Sequence, residues 1–77
     1  MTNMKISFKR LRFLMVERNV EFAAIRKATG IGSSTITKIK RDQDVALDVM
    51  LRICGYFNCN IGDICDAVPI KEEADEG

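Results

Sequence analysis

Gly30-Ile31-Gly32 separates two short apolar-periodic runs, and this spacing limits what the chain can become. Before it, Phe22, Ile25 and Ala28 recur at helical intervals within residues 21–29. After it, Ile36 and Ile39 fall three apart within residues 33–41. A strand there would need apolar residues at 36, 38 and 40, and two of these are Lys38 and Lys40. Gly30 is the natural stop for the first run, because glycine enters the left-handed region without steric penalty. Two helices therefore meet at a tight turn. The second offers the core little and hangs four hydroxyls (Ser33, Ser34, Thr35, Thr37) and three cations (Lys38, Lys40, Arg41) on the rest of its surface.

The remaining periodicities predict an all-α chain of five short helices and no sheet: 6–18, 21–29, 33–41, 47–57 and 61–67. The first carries Phe8, Leu11, Leu14 and Met15 at helical spacing, and the fourth carries Leu47, Met50, Leu51, Cys54 and Phe57. Asn60 reads as an N-cap for the fifth, with Asp63 reaching back to it, and Pro69 as its stop. Residues 5–70 make one domain. Residues 71–77, KEEADEG, have no apolar residue but Ala74 and are expected to form a disordered acidic tail. The reading is thus a compact five-helix bundle with a central helix-turn-helix. Its second helix has the geometry to enter a major groove.

The net charge of +1 hides a division. Residues 5–41 hold ten Lys/Arg against two acids, net +8, and residues 42–77 hold nine acids against two cations, net −7. Such a basic half suits a polyanion. Three cysteines, Cys54, Cys59 and Cys65, argue against a disulfide framework by their odd number, and C-x4-C-x5-C without histidine argues against a metal site. Buried, reduced thiols in a cytoplasmic protein fit better. With no histidine, no carboxylate pair and no base beside a nucleophile, the chain is not expected to be an enzyme or to need a cofactor. The two glycines lack the strand and the lysine-serine pair of a phosphate loop. No segment reads as a signal peptide or a membrane span. A membrane-surface role for the first helix would use up the apolar face that a core this small requires.

The stretch IRKATGIGSSTITKIKRDQDVALDVMLRICGYFNCNIGDI is similar to the Cro/C1-type helix-turn-helix transcriptional regulators. Over about residues 9–68 it resembles the compact group whose helix pair reads L-R-K-x-T-G-I-S-x-S-T before a V-x-x-D-V-L-x-x-I-C-x-x-L-N-C-x-I-x-D-I tail. The resemblance implies a lambda-repressor-like DNA-binding fold that binds operator double-stranded DNA, often as a homodimer, to regulate transcription, with repression favoured. It implies base contacts by Ser33, Ser34, Thr37 and Lys38, and a phosphate contact by Arg41 with Lys40 beside it. Arg26 and Lys27 are further phosphate candidates. The chain departs from the pattern at Phe22, Arg26, Gly32, Ala46 and Asp42. Gly32 and Ala46 replace serine caps, and Asp42 replaces a common glycine.

Each feature has a plainer reading. Ser33 is also a candidate cap, Thr35 fits an inward position beside Ile36, and the hydroxyls and Lys38 would serve equally as a solvated face. For Lys9, Arg10 and Arg12 the solvated face is at least as good an account. Val68-Pro69-Ile70, past the fifth helix, has little core left to join and suggests a partner surface. The acidic tail reads as a solvated end, with competition against DNA for the basic half as the rival idea. The rival function is a helix-turn-helix module that binds another regulator or a toxin instead of DNA.

Overall fold

The computed structural model describes residues 3–70; the acidic segment 71–77, with the disorder and the competition expected of it, lies outside them. The elements run β1 (Met4–Ser7), α1 (Lys9–Arg18), α2 (Phe22–Thr29), α3 (Ser33–Lys40), α4 (Leu47–Phe57), a single 3-10 turn (Ile61–Asp63) and β2 (Asp66–Pro69). Among the described residues there are four α-helices where five were expected, and a small sheet where none was.

Both corrections come from the two ends of the domain. Met4, Ile6 and Phe8 alternate with Lys5 and Ser7, which is the period of a strand. Residues 4–7 pair antiparallel with 66–69, Lys5 opposite Val68 and Ser7 opposite Asp66. The Ile70 N–H bonds to the Asn3 carbonyl at 3.1 Å. By alternation, Pro69 then turns its missing N–H away from β1, the one arrangement that a ladder tolerates. This pairing makes residues 66 and 67 strand where helix was expected, so the expected helix 61–67 ends after one turn. Its start is as expected, with the Asn60 N–H bonded to Asp63 Oδ2 at 3.0 Å. Val68 and Ile70 join this sheet and its continuation, not a free end.

Twelve buried residues form one core: Phe8, Leu11 and Met15; Ile25; Ile31; Ile36 and Ile39; Ile53, Cys54 and Phe57; Ile64 and Cys65. Among the described residues no polar or charged residue is buried with them. On α4 the inward face is Ile53, Cys54 and Phe57 with Val49 and Met50 beside them. Leu47 and Leu51, expected inward, stay more than half exposed. The α2 helix packs on both α3 and α4, and α1 and α4 both meet the 3-10 turn.

Each helix ends on a residue with positive φ: Asn19 (56°), Gly30 (77°), Asp42 (56°) and Asn58 (57°). Three of these closures bond the next N–H back across the turn: Val20 to Met15, Gln43 to Lys38, and Cys59 to Cys54, at 2.8, 2.8 and 3.0 Å. Asp42 does more. Its Oδ1 accepts the Phe8 N–H at 2.9 Å, and its carboxylate holds the Arg12 guanidinium at 3.2 and 3.4 Å. The start of α1 has no side-chain cap of its own. The Leu11 N–H bonds instead to the Ile64 carbonyl at 3.1 Å. The beginning of α1 is thus held by the end of α3 and by the segment after α4.

Partial burial pushes the Asp42 carboxyl up, but the Phe8 amide and the Arg12 guanidinium outweigh it and hold the group below the usual carboxylate range. Its charged form therefore stabilises the fold above about pH 4, and that contribution fades as pH falls through the lowered value. Asp42→Ala should reduce unfolding free energy by about 2 kcal/mol in urea titrations near neutral pH, because it orphans a buried N–H and puts alanine at positive φ. The variant should also lose part of the acid sensitivity of the wild type below pH 4. Ala46 begins α4 in extended conformation without a side-chain cap. Ala46→Ser should raise stability by about 1 kcal/mol in the same titration.

Candidate nucleic-acid interface

The α2–turn–α3 unit is set by four isoleucines. Ile25 and Ile39 are fully buried, and Ile31 and Ile36 nearly so. Ile31 lies inside the turn itself, so the turn is pinned to the core and not only bent by glycine. Thr29 secures it from the other side. Its hydroxyl donates to the Ile25 carbonyl at 2.6 Å and accepts the Ile31 N–H at 3.3 Å. Gly30 closes α2 through its N–H to the Arg26 carbonyl at 2.8 Å.

On a helix turning about 100° per residue, burying Ile36 and Ile39 sends Ser33, Ser34, Thr37, Lys38 and Arg41 to the opposite side. All of them are exposed, and so are Arg26, Lys27 and Lys40. Thr35 is half-buried beside Ile36, as expected. Gly32 is the N-cap and no side chain caps α3, so Ser33 does not spend its hydroxyl there. Thr37 donates its hydroxyl to the Ser33 carbonyl at 3.1 Å, which leaves its oxygen lone pairs facing outward.

The cations divide into two groups. Arg10 is paired with Asp66, Arg12 with Asp42, and Arg52 with Asp48. Among the described residues, Arg26, Lys27, Lys38, Lys40 and Arg41 have no acidic partner. Lys5, Lys9 and Arg18 are unpaired too, so five of the eight unpaired cations among the described residues lie on or beside α2 and α3. The Lys40 ammonium lies over the Phe22 ring, 5.3 Å from its centre. Phe22, one of the positions that depart from the resembled pattern, steers this lysine. Sequence reasoning missed Thr29, Asp42 and the Phe22–Lys40 contact, because each depends on a distance between elements that no local pattern carries.

Among the described residues no three His, Cys, Asp or Glu side chains converge on a metal position, and no helix is long and apolar enough to cross a membrane. The two glycines of the turn have different roles. Gly30 needs positive φ, whereas Gly32 is extended (φ −75°, ψ 163°) with open space where a side chain would go. Gly30→Ala should lose about 1 kcal/mol. Gly32→Ser should gain a few tenths by capping α3. Chemical denaturation of both variants checks the difference in sign.

A family model for the Cro/C1-type helix-turn-helix DNA-binding domain matches residues 10–69. Among solved structures, the crystal structure of transcriptional regulator VanUg, Form II, is similar, with 36% sequence identity and a TM-score of 0.86. The likeness covers 91% of this chain and 93% of that one. No curated protein matches the chain. The pinned turn and outward-facing α3 agree with that match, and the chain belongs to the Cro/C1-type helix-turn-helix DNA-binding domain family.

Proposed function

We propose that this protein is a cytoplasmic transcriptional regulator, acting as a repressor, which inserts α3 into the major groove of operator DNA as a homodimer. The observation that carries the reading is the division of α3: isoleucines on one side, and Ser33, Ser34, Thr37 and Lys38 exposed on the other. Lys40, Arg41, Arg26 and Lys27 flank that face without acidic partners among the described residues. The likeness to a transcriptional regulator over nearly the whole chain supports the regulatory role.

Each side chain has a distinct part. Lys38 donates to the O6 and N7 acceptors of guanine. Thr37, its proton committed to Ser33, offers lone pairs to base donors such as adenine N6 or cytosine N4. Ser33 and Ser34 donate or accept and discriminate less. Lys40, Arg41, Arg26 and Lys27 neutralise phosphates, which sets affinity and register without reading sequence. Two copies would place their α3 helices one helical turn of DNA apart, about 34 Å.

Lys38→Ala should weaken binding to the operator by about 1–3 kcal/mol while leaving random duplex nearly unaffected. Arg41→Ala should weaken both equally and reduce the slope of log affinity against log salt by about one. Equal losses on both duplexes for Lys38→Ala would mark it as a phosphate anchor and remove the base-reading role. Sedimentation with a palindromic duplex should give two protein copies per site; one copy would remove the homodimer.

A further inference from the structure

We infer that Cys54 and Cys59 form a modification site: a dithiol that a low-molecular-weight disulfide converts into an intramolecular disulfide across the end of α4. The geometry comes from the way the helix stops. Asn58 adopts φ 57°, the chain reverses, and the Cys59 N–H returns to the Cys54 carbonyl at 3.0 Å. The end of α1 closes in the same way, where Asn19 returns the Val20 N–H to Met15. In such a closure the side chains at these two positions ordinarily make an apolar contact. Met15 and Val20 occupy the two positions on α1; on α4 both are cysteine. The backbone bond draws together two residues whose Cα atoms a disulfide needs about 4.4–6.8 Å apart.

Access differs between them. Cys54 is buried, whereas Cys59 is half-buried and lines a surface cleft with Arg10, Leu14, Arg18 and Asp63. Burial pushes both thiols up from their ordinary value, so what distinguishes them is access. Cys59 is therefore the attacking group and Cys54 the resolving one. The Cys59 sulfur, after losing its proton, attacks one sulfur of the small disulfide; that S–S bond breaks, and the first small thiol leaves with a proton. The Cys54 sulfur then loses its proton and attacks the Cys59 sulfur. The mixed disulfide breaks, and the second small thiol leaves. Two protein thiols are oxidised and one small disulfide is reduced to two thiols. The Cys65 thiol donates to the Ile61 carbonyl at 3.5 Å and stays free. Because α4 packs against α2, the bridge would fasten the scaffold behind the helix pair without touching α3.

The test treats the reduced, folded protein with excess oxidised glutathione, then alkylates and maps it by mass spectrometry. The expected product has lost two hydrogens, links Cys54 to Cys59, leaves Cys65 alkylated, keeps its far-UV circular dichroism and returns to three thiols with dithiothreitol. Cys54→Ser should halt at a mixed disulfide on Cys59, and Cys65→Ser should behave as the wild type. Three thiols left unreacted, an unresolved adduct on wild-type Cys59, a bridge involving Cys65, or a bridge formed only between molecules would each overturn the inference. None of these readouts depends on DNA binding.

Discussion

An eight-residue helix does not hold itself together in water, so α3 exists only through what it buries. Ile36 and Ile39 supply that burial, and Ile25 and Ile31 receive it. Everything else follows from using only one narrow side of the helix. The opposite side is then free to carry serine, threonine and lysine, residues that weaken or do not favour a core. Four hydroxyls in five positions lower the helix propensity of the segment. The tolerance for that cost comes from the pinned turn: Thr29 and Ile31 fix the entry to α3 before any of those hydroxyls is reached.

The exit from α3 matters as much. Asp42 takes a positive φ that glycine would take more easily, and its carboxylate then anchors the first N–H at α1 and the Arg12 side chain. One residue thus ends the outward-facing helix and begins the supporting one. The same contact removes Arg12 from the cations available to a ligand, as Asp66 does for Arg10. The +8 of residues 5–41 is therefore not spread evenly over the surface. Five of its eight unpaired cations, Arg26, Lys27, Lys38, Lys40 and Arg41, lie on or beside α2 and α3, within the residues 10–69 matched by the Cro/C1-type family model.

Much of this was legible in the residues. The α2 and α3 helices, Gly30 as a stop, and the inward Ile25, Ile36 and Ile39 follow from local spacing, and the missing caps at Gly32 and Ala46 from the departure of those residues from the resembled pattern. The sheet was written there too, in the alternation of Met4, Ile6 and Phe8, but three apolar positions fit the start of a helix nearly as well. What decides between them is the partner strand at residues 66–69, whose Pro69 reads locally as a helix stop or as part of a partner surface. The phase of α4 was likewise ambiguous. Leu47 and Leu51 share an apolar stripe with Met50 and Cys54, and only the position of α2 turns Ile53 inward in their place. The roles of Thr29 and Asp42 were not legible at all, since a hydroxyl or carboxylate names no partner until the chain is folded.

The central claim is that the outward side of α3 reads base sequence. It is tested most directly by incubating the folded protein with a randomised duplex pool at near-physiological salt and sequencing the bound fraction. The account expects an enriched palindrome with half-site centres about 10 bp apart. Retention of duplexes with no enriched sequence, from a protein of native circular dichroism, would contradict it and leave α3 as a surface for a protein partner.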